Sequence, residues 1–144
     1  MDDSSLDVIL SRQSLRKALR RWTNLLEMAD HPLAQLYLVE DHHRSCHRGK
    51  TRLEWGLSLR QVLHEAILTM QPHEGAPNYH DKHWFHYVIL TEQYINRRSP
   101  EFVSMQLNGL PLRTYQEISG EALDRLASIL LEREIAHRDK REQP

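Results

Sequence analysis

The chain has a single cysteine, Cys46, in 144 residues, so no disulfide can form within it, and this usage fits a reducing, cytoplasmic setting. Glycine (5) and proline (6) are scarce, and the sequence is therefore not rich in tight turns. No run approaches the roughly 20 apolar residues that a membrane span needs. The opening MDDSSLDVIL is acidic and lacks the apolar stretch of a secretory signal peptide. Neither sign of charge dominates. Lys and Arg number 19 against 20 Asp and Glu, for a net charge of −1. That is not the balance of a protein held on nucleic acid by bulk electrostatics, and any DNA contact would need a local basic face. There is no Gly-rich phosphate loop, and His64-Glu65 lacks the second His of a zinc-protease motif. No paired carboxylates stand out, so we expect neither catalysis nor a cofactor.

What is abundant points to helices. Leu, Glu, Gln and Arg, all good helix formers, fill most positions, while β-branched residues are scattered singly. The expected fold is all-α, a compact bundle of five to six helices. Residues 1–10 are expected to be loose, 11–136 to form one domain, and 137–144, which has no apolar face, to fray. Leu15, Leu19, Trp22 and Leu25 or Leu26 recur at helical spacing, opposite a basic face of Arg16, Lys17, Arg20 and Arg21. Pro32 opens a second helix and Thr51 caps a third. Residues 71–78 are a loop. From Asp81 to Asn96, Trp84, Tyr87, Val88, Thr91, Tyr94 and Ile95 mark a helix buried on most sides. It is read as the spine around which the first three helices gather.

Ser99-Pro100-Glu101 is a strong helix start, and Asn108-Gly109 stops that helix after Leu107. A long last helix follows, striped by Tyr115, Ile118, Ala122, Leu126, Ile129 and Leu130. A short helix, a turn with Gly109 at positive φ and a second helix make a helix-turn-helix over about 99–131. The outward positions early in the second helix are Arg113, Thr114, Gln116 and Glu117.

The run YINRRSPEFVSMQLNGLPLRTYQEISGEALDRLASIL resembles the helix-turn-helix of sigma-factor region-4-like proteins. The longer stretch from Leu15 through Arg138 resembles small domains at the N-terminus of large bacterial STAND-type signalling NTPases. In the family pattern a Ser caps the reading helix, where this chain has Pro111. Proline neither accepts a capping hydrogen bond nor donates a backbone N–H to phosphate. The resemblance implies a DNA-binding role in transcriptional or signalling regulation. Arg113, Thr114 and Gln116 would then face the major groove, Arg97 and Arg98 would hold the backbone, and the basic face of the first helix would add phosphate contacts. The competing expectation is an adaptor or dimerisation module on the same scaffold, bound to a protein partner or to itself. Glu101 and Glu117 beside the reading face repel phosphate and favour that alternative.

Two histidine clusters complete the reading. His42, His43, Cys46 and His47 are residue types that zinc sites use, but HHxxCH lacks the second ligand pair of a finger. His80, His83 and His86 are spaced three apart beside Asp81. Both clusters are expected to be ordinary helix ends and loops without metal.

Overall fold

A computed structural model describes residues 3–46 and 49–142. Three quarters of the chain is helical. Eight α-helices are present among the described residues, with no strand: α1 (Asp3–Ile9), α2 (Arg12–Arg20), α3 (Leu25–Asp30), α4 (Tyr37–Ser45), α5 (Arg52–Leu68), α6 (Phe85–Ile89), α7 (Pro100–Gln106) and α8 (Leu112–Glu142). A 3-10 turn at Pro32–Gln35 precedes α4, another at Lys82–Trp84 leads into α6, and a π-helical turn at Leu90–Ile95 continues α6. The compact all-α expectation holds, but the chain is cut more finely than five or six helices.

Local chemistry explains the cuts. Ser11, Asn24, Thr51 and Ser99 each accept a backbone N–H three residues on, from Ser14, Glu27, Glu54 and Phe102. The segment expected to be one helix through Leu26 is two, because α2 ends at Arg21 and Asn24 caps a new start. Residues 3–9 are helical rather than loose, and Leu6 and Leu10 are buried. At the other end α8 runs to Glu142 instead of stopping at Ala136. Polar contacts hold this last stretch. His137 Nδ1 meets Asp41 Oδ2 at 2.6 Å, Arg141 donates to Asp41 Oδ1 at 2.6 Å, and the Arg141 guanidinium lies 4.3 Å from the Tyr37 ring centre.

The apolar residues form two clusters. The larger joins α1 to α5 with the middle of α8 through residues such as Leu19, Met28, Val39, Leu63, Ile67 and Leu126. The smaller consists of Trp84, Phe85, Val88, Ile89, Val103, Leu107 and Tyr115. Trp84 therefore belongs with α7 and the start of α8, not with the first three helices. Leu90 and Tyr94, from the same spine, do reach the larger cluster. Gly56 permits a close approach of two helices. A Cβ there would stand 1.9 Å from the carbonyl oxygen of Leu25, so α3 and α5 touch backbone to side-chain-free backbone.

Candidate nucleic-acid interface

The chain reverses between α7 and α8 by a specific hydrogen-bond pattern. Asn108 (φ 67) and Gly109 (φ 64) both take the left-handed conformation. The Gly109 N–H donates to Met105 C=O at 3.3 Å, and the Leu110 N–H donates to Ser104 C=O at 3.1 Å. The first satisfies a carbonyl at the end of α7, and the second adds a donor to the Ser104 carbonyl, which also accepts the Leu107 N–H at 3.2 Å. Pro111 stands just before α8, and its carbonyl accepts the Tyr115 N–H at 2.9 Å. Val103, Leu107 and Tyr115 then fold both helices onto Trp84.

The residues expected to contact DNA divide into three groups. Arg97 and Arg98 lie beyond the π-helical turn, where the Asn96 N–H reaches Thr91 C=O and the Arg98 N–H reaches Glu92 C=O, each at 2.9 Å. Arg97 is held at φ 61, an uncommon conformation for a side-chain-bearing residue. Its Nη1 donates to the Arg20 carbonyl at 3.1 Å. The Arg98 guanidinium lies over the Phe102 ring, 5.0 Å from its centre. Arg113, Thr114 and Gln116 are on the first turns of α8, where Arg113 and Gln116 are exposed and Thr114 is half-buried. Arg113 faces Glu117 at 3.8 Å, a solvated pair of little energetic consequence.

The basic face of α2 is not one face. Arg16 and Arg20 turn toward the π-helical segment and α8. Lys17 and Arg21 turn the other way, toward Glu27 and His31. Arg21 Nη1 donates to the Lys17 carbonyl, and Arg21 Nε meets Glu27 Oε2 at 3.3 Å. Arg16 and Arg20 stack one turn apart, as do Lys17 and Arg21, and the two rows are offset by about 100°, so one row enters the cleft beside α8 while the other faces Glu27 and His31.

Arg16 and Arg20 line a groove with Arg97, Arg98 and Gln116. It consists of two adjoining hollows, of about 380 and 410 Å³, that share Arg20, Gln93, Tyr94 and Pro100. Among the described residues no carboxylate lines either hollow. In the floor, Tyr115 donates its hydroxyl to Gln93 Oε1 at 2.7 Å. Burial pushes this phenol well above the ordinary tyrosine range, helped by Tyr94 and Glu101, so it remains a neutral donor. Sequence reasoning missed Gln93, Tyr94 and Ser119 as groove residues. Gln93 and Tyr94 are aimed there by the π-helical register, which has no sequence periodicity to reveal it. Arg113 stands outside the lining.

The histidines go separate ways. His43 is buried, with Nδ1 2.8 Å from Ser58 Oγ, Nε2 2.8 Å from Gly49 O, and its ring stacked 3.7 Å from Trp55. His42 Nε2 meets Gln61 Oε1 at 2.9 Å and Cys46 Sγ at 3.6 Å. His47 lies outside the described residues. His80 contacts Asn108, His83 contacts Asp81, and His86 contacts Glu121. Among the described residues no group of three or more His, Cys, Asp or Glu could hold a metal ion. No helix among them is long and apolar enough to cross a membrane. No protein-family model, curated protein or solved structure matches the chain.

Proposed function

We propose that α7 and the first half of α8 act as a sigma-like helix-turn-helix that binds duplex DNA, as a non-catalytic regulatory domain of the kind found at the N-terminus of STAND-type signalling NTPases. The observation that carries this reading is the groove in which Arg16, Arg20, Arg97 and Arg98 stand together beside Gln116 with no lining carboxylate. A chain with net charge −1 has nonetheless gathered four of its arginines on one surface. Phosphate contacts of this kind fix orientation on a duplex, while Gln116, Thr114 and Arg113 at the start of α8 would meet base edges. Four phosphate contacts imply a slope of about −3.6 in log affinity against log salt, or roughly a 100-fold loss between 50 and 200 mM. Fluorescence anisotropy of a labelled duplex measures this. An affinity indifferent to salt would overturn the reading.

A second reading, an adaptor or dimerisation module, is favoured by one observation. Met105, Phe102 and Leu112, around the same reversal, are 73 %, 45 % and 45 % exposed. Exposed apolar side chains gathered around one reversal favour a protein partner. Under this reading sedimentation shows concentration-dependent self-association or capture of a partner domain, and duplex binding is absent.

A further inference from the structure

We propose that the groove between α2, the π-helical turn and α8 is a built phosphate seat, in which Arg16 and Arg20 supply ligands from outside the helix-turn-helix. The inference rests on the DNA reading only for the source of the phosphate; the seat itself follows from geometry. Two of its four guanidinium groups are fixed before any ligand arrives. Arg97 is tied through Nη1 to the Arg20 carbonyl, and Arg98 lies against Phe102. Fixing the arginines in advance reduces the ordering that binding would otherwise require. Arg97, whose left-handed backbone is a strained conformation for a side-chain-bearing residue, lines the groove. Beside Tyr94 and Pro100, the remaining lining offers polar groups: Gln93, Gln116, Ser119 and the Tyr115 hydroxyl. Arginine is the side chain whose planar fork matches phosphate oxygens.

α2 provides its own control. Arg16→Gln/Arg20→Gln removes two positive charges inside the groove. Lys17→Gln/Arg21→Gln removes two from the adjoining face of the same helix, outside it. The Arg20 carbonyl that holds Arg97 belongs to the backbone and survives substitution. The groove pair is expected to weaken duplex binding at least about tenfold and to flatten the salt slope by about two, one for each lost phosphate contact. The control pair is expected to change affinity less than about threefold, through long-range electrostatics alone. In parallel, inorganic phosphate is titrated into the unsubstituted protein while the arginine Nε–Hε resonances are followed. Shifts confined to groove arginines support the seat even where a substituted protein folds poorly.

The outcomes separate the two claims. Duplex binding that survives in the groove pair with an unchanged slope overturns the seat and leaves the DNA reading standing. Phosphate-induced shifts at the groove arginines without any duplex binding support the seat, assign it a free phosphate-bearing ligand and overturn the DNA reading. Equal losses in the two double variants mean that net charge alone acts, which overturns the seat.

Discussion

The two apolar clusters share α8 but satisfy their polar groups very differently. Around the larger cluster, buried polar groups are closed off in pairs. Glu134, 2 % exposed, accepts the N–H groups of Tyr37 at 3.0 Å and Leu38 at 2.8 Å, and so caps α4 from a distance of nearly a hundred residues. His43 is held on both ring nitrogens. Among the described residues, three buried side-chain atoms have no hydrogen-bond partner: Trp84 Nε1 in the smaller cluster, Gln106 Oε1 on α7 beside it, and Thr91 Oγ1 on the π-helical turn that joins the two clusters. The same region holds the left-handed Arg97, the π-helical turn and the exposed Met105, Phe102 and Leu112. Unpaired groups, strained backbone and exposed apolar surface gathered in one place are what functional surfaces tend to carry. Under the DNA reading proposed above, the larger half is the rigid base, and the smaller half, together with the edge of α2, is the working face.

Breaking the base is expected to have the largest effect. Gly56→Ala places a methyl group against the Leu25 backbone, which cannot rotate away as a side chain would. We expect a loss of about 3 kcal/mol or more, read from the urea midpoint. Glu134→Ala leaves the buried Leu38 N–H and the part-buried Tyr37 N–H without their acceptor and is expected to cost about 2–3 kcal/mol. The opposite sign is expected at the working face. Thr91→Val keeps the shape and removes an unpartnered buried hydroxyl, so it should leave stability unchanged or raise it by about 1 kcal/mol. A loss at Thr91 as large as that at Glu134 would erase the contrast between the halves.

A smaller effect is expected from pH, and it concerns the base. Burial lowers the proton affinity of His31, although a backbone hydrogen bond to Ser14 opposes this. His31 Nδ1 accepts the Leu33 N–H at 3.1 Å, a bond that needs an unprotonated nitrogen. The unfolded chain therefore binds a proton before the folded one, and stability falls as pH drops below about 6.5. For Asp41, burial raises the carboxyl, but hydrogen bonds from His137 and Arg141 outweigh it and hold the group below its usual range. Its contribution is complete above about pH 4 and is lost as pH falls through the depressed folded value. Thermal unfolding from pH 7.5 to 3 should show both steps. His31→Gln should remove the first, and Asp41→Asn should weaken the second. Retention of the first step in His31→Gln would contradict the assignment.

Much of the fold was legible because caps and breaks are local chemistry. Ser99-Pro100, Thr51 and Asn108-Gly109 act where the sequence places them. The apolar stripe of the last helix reads directly onto buried Tyr115, Ala122, Leu126 and Leu130. The misreadings come from long-range partners. The first ten residues look polar, yet Leu6 and Leu10 suffice to dock a short helix. The charged stretch after Ala136 has no apolar face but finds Asp41 and Tyr37. Gly120, inside α8, makes room for the Arg12 guanidinium, which goes on to pair with Asp124 at 2.5 Å. At the groove, Arg16, Arg20, Arg97, Arg98 and Gln116 were visible as residue types. Their convergence, and the exclusion of Lys17 and Arg21 from it, depends on tertiary packing that no single segment encodes.

The division between base and working face is tested most directly by a ¹H–¹⁵N map of the protein titrated with a duplex of about 16 base pairs. The account predicts shifts at Arg97, Arg98, Thr114 and Gln116 and along the Arg16–Arg20 edge of α2, with Tyr37–Ser45 and the last turns of α8 silent. Shifts concentrated on α4 and the end of α8, or none at low salt, would contradict it.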